Sequence, residues 1–374
     1  MVYDFDSVIE RAGTSSTKWT KFAPDVLPMW VADMDFAAPS FVLDALRERL
    51  AHPVLGYTQR PDTLTAALQG WLAHHYHWHV PEEWIVWIPG VVPALNLACQ
   101  LLPAERAIMM PYPVYHPFLD LAEHAGVTEQ LVPLAVEDRH WTMDFDAMDA
   151  ARTDATAMVL ICNPQNPTGR CYTETELEAL AEFVERNDLL LVSDEIHCNI
   201  VLDETSRHVP IAAAFPQLAE RTISLFAATK VYNIPGVGCA AAVIADEQLR
   251  ERFLAARRGL VPGIGPLGFA ASEVAINDRG PWIEELNAYL RGNLALLSQQ
   301  LGDRLARMEG TYLAWIDVSD LALADTESYF AGYGLGISPG AQFGRADHIR
   351  LNFGCPRTTL AEGLARLDAA LAGA

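Results

Sequence analysis

Residues 157–169 read AMVLICNPQNPTG, an uninterrupted apolar run that is followed at once by turn-forming and polar residues. A short apolar run bounded in this way is typical of a strand buried on both faces of a sheet. The same order of a buried run and then polar residues recurs twice: Leu189–Ser193 before Asp194–His197, and Thr222–Phe226 before Thr229 and Lys230. In an open parallel sheet, ligands bind outside the carboxyl ends of the strands. These three strand ends therefore predict one shared ligand site.

Apolar runs alternate with amphipathic stretches along the middle of the chain, which predicts a mainly parallel sheet with helices on both faces. Further strands are expected at Trp84–Ile88, Ala107–Met110 and Ala240–Ile244. Helices are expected at Thr175–Asn187, from Pro281 to Met308, and at Thr358–Leu371. Thr173 can cap the first of these helices, and Glu176 stands three residues later as its reciprocal partner, the signature of a capping box.

The length of 374 residues exceeds that of a usual single core, so we expect two domains. The large domain is expected at residues 48–278, and the small α/β domain at residues 1–47 together with 279–374. The final part of the chain supplies most of the small domain, because the short strands and the last helix are predicted there.

The composition excludes several classes of partner. A formal net charge of −22 disfavours nucleic acid and anionic membranes. The uncharged stretch Trp84–Ala104 contains Pro89, Gly90 and Pro93, so it predicts a buried strand, a turn and a buried helix instead of a membrane span. Six scattered cysteines without a CxxC pair fit a reducing compartment, and we expect a cytoplasmic protein.

The polar residues at the three strand ends match the needs of one cofactor, pyridoxal 5'-phosphate. Lys230 supplies an amine that can hold the cofactor as a Schiff base. Asp194 follows a buried strand, and a buried carboxylate is best stabilised by a cation such as a protonated pyridine nitrogen. Asn166 lies in a turn between two prolines and can donate to the phenolic oxygen.

The phosphate of that cofactor needs a cradle of donors. A helix is expected to begin near Pro93, and the start of a helix favours an anion. The Thr229 hydroxyl can add a contact, and the Tyr115 ring can lie against the face of the cofactor. The backbone N–H groups expected at the phosphate are those of Gly90, Val91 and Val92.

These residues together resemble the fold-type I pyridoxal-phosphate enzymes, and within the class I/II aminotransferase family they resemble the cystathionine β-lyase-like C–S lyases. The resemblance covers nearly the whole chain and implies the aspartate aminotransferase-like fold. It is most specific at the N-terminal motifs GTSSTKW (residues 13–19) and PMWVADMDF (residues 28–36). It continues at residues 113–118, 163–170, 193–197, 230–236 and 350–356.

The resemblance implies roles for individual residues. Lys230 would also move the Cα proton of the substrate, and Tyr115 would assist that transfer. Arg350 would bind the α-carboxylate of the substrate, a task suited to a guanidinium fork. Tyr57 would reach the phosphate of a partner subunit, which implies a homodimer with shared active sites. His197, also expected at the cofactor, stands where aminotransferases commonly have tyrosine.

Two further positions differ from the broader family. Gly238 stands where many members have a phosphate-binding arginine, and Ala227 where many have a hydroxyl. The subgroup resemblance implies β-elimination from L-cystathionine or a related β-thio amino acid, giving a thiol, pyruvate and ammonia. An aminotransferase remains the alternative, since both reactions begin by removing the same Cα proton.

Two readings from other classes are weaker. Residues 74–79 read HHYHWH and raise the idea of a metal-binding module, but their spacing mixes both faces of a helix and no ligand pattern accompanies them. We therefore expect no metal. A non-catalytic protein that binds a partner on an enzyme scaffold is disfavoured by the intact set of Lys230, Asp194 and Asn166.

Overall fold

The computed structural model of the chain describes residues 2–373. In chain order its helices are α1 (Thr17–Thr20), α2 (Ser40–Ala51), α3 (Asp62–Tyr76), α4 (Val91–Cys99), α5 (His116–Leu119), α6 (Leu121–Ala125), α7 (Phe145–Ala151), α8 (Glu174–Arg186), α9 (Ile211–Ala214), α10 (Glu247–Arg257), α11 (Pro266–Ile276), α12 (Trp282–Leu301), α13 (Thr326–Gly332) and α14 (Arg357–Ala372). Its strands are β1 (Leu27–Pro28), β2 (Ile85–Ile88), β3 (Ala107–Tyr112), β4 (Thr128–Pro133), β5 (Ala135–Glu137), β6 (His140–Thr142), β7 (Thr156–Cys162), β8 (Leu190–Asp194), β9 (Thr222–Phe226), β10 (Ala240–Ile244), β11 (Leu313–Asp317), β12 (Leu335–Gly336), β13 (Ser338–Pro339) and β14 (His348–Asn352).

The largest sheet has the strand order β2-β10-β9-β8-β7-β3-β4. The neighbours from β9 to β4 run parallel, whereas β10 is antiparallel to both β2 and β9. Because β7, β8 and β9 are adjacent and parallel, their carboxyl ends lie side by side at one edge. The prediction of a mainly parallel sheet is confirmed.

Strand β7 shows why this sheet is covered on both faces. Every residue of the strand is buried. Met158 and Leu160 pack with apolar residues of α4 and α10, while Val159 and Ile161 pack with those of α8. Successive side chains of a strand point to opposite faces, so helices lie on both sides of β7. Burying each large apolar side chain contributes roughly 1.5–3 kcal/mol.

The predicted elements agree with the observed ones to within a few residues in the sheet domain. Helix α8 has the expected capping box, in which the Thr173 hydroxyl accepts from the N–H of Glu176 at 3.2 Å and the Glu176 carboxylate accepts from the N–H of Thr173 at 2.8 Å. The predicted helix from Pro281 was too long, because Gly302 adopts a positive φ of 53° directly after Leu301.

The uncharged stretch Trp84–Ala104 forms a strand and a helix, as expected. Strand β2 and helix α4 lie within it, and both are largely buried. Helix α4 begins at Val91 with Gly90 as its N-cap, two residues earlier than predicted. Within residues 2–373, no helix combines the length and the apolar character needed to cross a bilayer.

The C-terminal part of the chain forms a second sheet with the order β11-β14-β13, all antiparallel. Apolar residues of α12 and α14 pack in the same core as this sheet. The N-terminal segment joins this core through Phe5, Met29 and the parallel pairing of β1 with β12. The exact domain boundaries at residues 48 and 279 stay a prediction.

Candidate active site

A crevice of about 210 Å³ lies at the carboxyl ends of β7, β8 and β9. Most of the residues that the sequence singles out line it: Gly90, Val91, Val92, Tyr115, Asn166, Asp194, His197, Thr229 and Lys230. They belong to loops and helix starts that are far apart in the sequence. The sheet edge brings these polar groups together, as the three strand ends predict.

Lys230 places its amine in the crevice, in the loop after β9. Its Nζ donates to the carbonyl oxygen of Ala32 at 2.8 Å. Burial lowers the pKa of Lys230 to about 8, and the nearby positive charge of Arg350 acts in the same direction. With such a pKa, roughly a tenth of the amine is uncharged at pH 7. The uncharged amine is the form that attacks a carbonyl carbon or accepts a proton.

Asp194 ends β8 and has only 2% of its surface exposed. Burial raises the pKa of Asp194 to about 7, although the N–H of Ile196, which donates to its Oδ1 at 3.0 Å, lowers it in part. A carboxylate in these surroundings is stabilised by a cationic hydrogen-bond donor. The crevice therefore suits a ligand with a protonated ring nitrogen at this end.

Arg350 lies beside the crevice on β14 and is also buried. One Nη donates to Oδ1 of Asn166 at 2.9 Å, and the other to the carbonyl oxygen of Trp30 at 3.0 Å. The ring of Phe343 lies 4.6 Å from its guanidinium carbon. Burial lowers the pKa of Arg350 to about 10. Its Nε has no hydrogen-bond partner within residues 2–373, so the group retains capacity for an anion.

The crevice is also lined by neutral donors. Gly90, Val91 and Val92 form the start of helix α4, where N–H groups without helical partners favour an anion. The Thr229 hydroxyl lies on the same crevice. These backbone N–H groups and the hydroxyl can bind a phosphate, and within residues 2–373 no arginine side chain is among the residues that line the crevice.

Gly238 explains why no arginine occupies the family position after the lysine. A Cβ atom at Gly238 would lie 2.3 Å from the carbonyl oxygen of Pro89, just before the helix start. Any side chain there would displace the backbone that carries Gly90. The glycine therefore permits the close approach of two loops beside Gly90.

His197 and Tyr115 complete the walls of the crevice. Burial lowers the pKa of His197 well below its ordinary value, and the charges of Lys230 and Arg350 add to this effect. Nδ1 of His197 has no partner within residues 2–373. Burial raises the pKa of Tyr115, which keeps its hydroxyl protonated. The ring of Tyr312 lies against His197 at a centroid distance of 6.0 Å.

Tyr57 is the one predicted site residue that lies away from the crevice. It belongs to the loop between α2 and α3, and its side chain is fully exposed. The neighbouring Val54 and Leu55 are exposed as well, at 62% and 57%. Tyr57 therefore does not contact the crevice of its own chain.

Sequence reasoning missed the contribution of the strap, which we define as residues 30–34. One strap residue, Ala32, lines the crevice. The carbonyl oxygens of the strap accept hydrogen bonds from side chains of several remote segments: Arg350 and Ser338 at Trp30, Asn352 at Val31, Lys230 and Tyr312 at Ala32, Lys18 and Asn352 at Asp33, and Arg11 and Asn233 at Met34. Carbonyl oxygens leave no trace in residue type. The only available signal was the N-terminal motif that contains the strap.

The histidine-rich stretch does not form a metal site in the described part of the chain. Among residues 2–373, no group of three or more His, Cys, Asp or Glu side chains is arranged to hold a metal ion. His75 instead packs against Trp71 at a centroid distance of 5.0 Å.

Similarity to known proteins extends over nearly the whole chain. The family model described as "Aminotransferase class I and II" matches residues 24–367. The chain is also 35% identical over 387 residues to cystathionine beta-lyase PatB of Bacillus subtilis (strain 168). That alignment covers 98% of this chain and 100% of the relative.

Two solved structures are similar over the same extent. The crystal structure of OvoB superposes with a TM-score of 0.96 at 36% identity and covers 100% of both chains. The PLP-bound C–S lyase from Staphylococcus hominis superposes with a TM-score of 0.92 at 29% identity. In that case 99% of this chain and 98% of the other are covered.

Proposed function

The chain belongs to the class I and II aminotransferase family, and from this membership we propose that it is a pyridoxal-phosphate-dependent carbon–sulfur β-lyase. It cleaves L-cystathionine or a related β-thio amino acid to a thiol, pyruvate and ammonia. The observation that carries the proposal is the crevice, where Lys230, Asp194 and Asn166 converge beside Arg350. The full-length relatives named as lyases support this activity over the alternative, an aminotransferase.

The cofactor would be held at both ends by residues of this chain. Lys230 would attach it covalently, and Asp194 would pair with its ring nitrogen. Asn166 uses Oδ1 to accept from Arg350, which leaves its NH₂ group to donate to the phenolic oxygen. Its phosphate would bind the N–H groups of Gly90, Val91 and Val92 and the Thr229 hydroxyl, with Tyr115 against the ring and His197 nearby.

Bound pyridoxal phosphate supplies an electron sink for the negative charge that develops at Cα of an attached amino acid. Arg350 would bind the α-carboxylate, and its buried position makes that contact strong. This contact orients the Cα–H bond towards Lys230. Once the amino group of the substrate has replaced Lys230 on the cofactor, the freed amine of Lys230, with its lowered pKa, would accept the Cα proton. Departure of the thiolate from Cβ would complete the elimination, and one water molecule would then hydrolyse the remaining three-carbon enamine to pyruvate and ammonia.

The strap bears on how Lys230 performs this task. The carbonyl oxygen of Ala32 accepts from Nζ of Lys230 at 2.8 Å and from the Tyr312 hydroxyl at 3.0 Å. An amine held through one N–H keeps its lone pair available in a defined direction. Tyr115, whose pKa is raised by burial so that its hydroxyl remains protonated, would assist the proton transfer.

A homodimer with shared active sites is part of the proposal. Tyr57 is fully exposed, and the loop that carries it also exposes Val54 and Leu55. An apolar loop of this kind is typical of a surface that a second subunit covers. From there Tyr57 would reach the phosphate in the crevice of the partner. We also propose a cytoplasmic location, which suits the six free, buried cysteines of residues 2–373.

The test is a visible absorption spectrum of the purified protein before and after addition of L-cystathionine, with pyruvate assayed in the same cuvette. We expect a band from the covalently held cofactor and release of pyruvate. The band should be lost in Lys230→Ala. The chain contains three lysines, Lys18, Lys21 and Lys230, so borohydride reduction and peptide mass analysis identify the attachment point without ambiguity.

Lys21→Ala is the matched control, because Lys21 lies at the surface and pairs with Glu327. This variant should keep both the band and the activity. Bleaching of the band without pyruvate would instead favour an aminotransferase. Absence of any band after addition of pyridoxal phosphate would refute the cofactor assignment.

A further inference from the structure

A second pair of titratable side chains is buried directly behind Asp194. Glu195 is completely buried and His208 is 6% exposed. Nε2 of His208 contacts Oε2 of Glu195, while the other carboxylate oxygen accepts from the Ser193 hydroxyl at 2.7 Å. Neither side chain has a part in the proposed mechanism. A buried ionic pair is weak evidence for stability alone, so another role is worth seeking.

His208 is also held from its far side. The Tyr76 hydroxyl lies 2.8 Å from Nδ1 of His208, and the two rings are nearly perpendicular at a centroid distance of 5.4 Å. Tyr76 ends α3, whereas His208 precedes α9 and Glu195 follows β8. The contacts therefore fix both nitrogens of the imidazole and join three remote segments next to the crevice.

The outer side of His208 faces a surface cleft of about 570 Å³. The titratable and charged side chains that face it across this cleft are His75, His77, Glu174, Glu178 and Arg207, of which Arg207 and Glu174 pair with each other. Solvent protons thus have access to His208 through the cleft. Glu195 has no such access, because it is entirely enclosed.

The charge of Glu195 acts on Asp194. Burial is the main cause of the raised pKa of Asp194, and the negative charge of Glu195 raises it further. The charges of neighbouring side chains interact more strongly when protein instead of water separates them. The imidazole in contact with Glu195 offsets this charge when it is positive, whereas a neutral side chain at the same place leaves Asp194 exposed to the full negative charge.

We propose that Glu195 and His208 are positioning residues that set the charge on Asp194, and through it the proton on the ring nitrogen of the cofactor. With His208 protonated, the pair is neutral as a whole, and Asp194 remains an anion opposite the protonated ring nitrogen. Without that proton, the site is more negative and Asp194 binds a proton more readily. The inference rests on the proposed function, because it needs the bound cofactor.

The test is a pH titration of the visible absorption of the bound cofactor in the holoenzyme. His208→Gln retains an N–H donor for Glu195 but removes a positive charge, so protons near the crevice should bind more tightly. Glu195→Gln removes a negative charge and has the opposite effect. We expect the midpoint to rise in the first variant and fall in the second, each by on the order of one pH unit.

Further variants separate charge from shape. The double variant Glu195→Gln with His208→Gln removes both charges and should return the midpoint towards that of the wild type. Tyr76→Phe leaves the buried pair intact but withdraws a hydrogen bond from His208, so it should produce a smaller shift. If the single variants fail to fold, the midpoint shift of Tyr76→Phe tests the proposal in their place. The matched control is His124→Gln, an exposed histidine on α6 that should leave the midpoint unchanged.

The expected pattern has opposite signs in the two single variants. Shifts of the same sign, or unchanged midpoints in variants that still bind the cofactor, would show that the pair only holds the fold together. An unchanged midpoint in Tyr76→Phe would count in the same way. Absence of a cofactor band in the wild type would overturn the proposed function itself, and with it the inference that depends on it.

Discussion

Asp194 and Lys230 are held in the crevice under conditions that disfavour the charge of each. Burial raises the pKa of Asp194 to about 7 and lowers that of Lys230 to about 8. Both groups therefore titrate close to neutral pH in the protein without cofactor. Residues tuned in this way are characteristic of functional sites, where stability is given up for reactivity. In the proposed complex, the cationic ring nitrogen of the cofactor would offset the free-energy cost of the buried Asp194 carboxylate.

Asp194→Asn is expected to stabilise the cofactor-free protein at pH 8 while weakening cofactor retention. The pKa of Asp194 is raised from 3.8 to about 7, so between these values the folded chain binds more protons than the unfolded chain. The contribution of Asp194 to stability therefore falls as the pH rises through this window. Asparagine does not titrate, so its advantage should be large at pH 8 and clearly smaller at pH 5.

Thermal unfolding of both cofactor-free proteins at pH 5 and pH 8 measures this difference. Asp368→Asn, a change at an exposed carboxylate on α14, is the control and should leave Tm unaltered at both values. An equal Tm difference at pH 5 and pH 8 would contradict the expectation.

Residue type predicted one part of the crevice and not the other. Asp194, Asn166 and Lys230 were predictable, because each follows a buried strand and parallel strands end at one edge. The donors that hold the strap were not, since they bind carbonyl oxygens. Nor was the contact of Glu195 with His208, because no motif links residues 13 positions apart.

At the start of helix α8, the single side chain of Glu176 stabilises both the helix and the loop before it. Glu176 is the reciprocal partner of Thr173 in the capping box, and its carboxylate also binds Arg170 at 2.9 Å. Arg170 is buried and makes a further ion pair with Glu309 at 2.8 Å. The helix start is thereby tied to the loop that carries Asn166. Local capping and placement of the crevice loop thus depend on the same carboxylate.

Thr173→Ala and Glu176→Ala are expected to differ in cost. The threonine change removes one cap and should lower the free energy of unfolding by about 1 kcal/mol. The glutamate change also leaves a buried guanidinium short of a partner, so we expect a loss of about 3 kcal/mol. Urea unfolding of the cofactor-free proteins compares them. Similar losses in both variants would show that the contact with Arg170 contributes little.

Strand prediction succeeded where burial was complete, including the edge strand β2, and failed at the partly exposed edge strand β4. Residues 222–226 and 240–244 were predicted with their observed bounds. Strand β4 was missed, since its sequence TEQLVP mixes polar and apolar residues and most of its side chains are at least partly exposed. The antiparallel direction of β10 was also beyond prediction, because direction depends on the connection and not on the apolar run.

Within residues 2–373, buried apolar clusters cover the large sheet, and a further one joins the N-terminal segment to the C-terminal sheet. Both kinds contribute to the crevice, which is lined by Ala32 from the latter and Cys162 from the former. The expected aspartate aminotransferase-like fold is confirmed by the full-length superposition on solved relatives. The proposed second subunit would add Tyr57 to this arrangement. In that dimer, each intact site would be formed by residues of both subunits.

Mixing two defective variants tests the shared site. Tyr57→Ala and Lys230→Ala subunits should each have little activity alone, the first through weakened cofactor binding. In a mixed dimer, one site combines the intact Lys230 of the first variant with the intact Tyr57 of the second. Subunit exchange should therefore restore part of the wild-type pyruvate release, about a quarter at random pairing of equal amounts.

Light scattering during the same experiment reports the size of the particle. Two Lys230→Ala preparations mixed with each other are the control and should stay inactive. No gain of activity in a mixture shown to contain mixed dimers would mean that Tyr57 serves its own chain or no site at all.

The strap has a consequence for the order in which the protein is made. Residues 30–34 leave the ribosome early, yet the side chains that bind them include Asn233, Arg350 and Asn352, which are synthesised much later. The pairing of β1 with β12 also waits for residue 335. A nascent chain can thus form much of the large sheet while its crevice is still open on one side. Closure, and with it a fully formed cofactor site, comes only after residues 350–352 have been made.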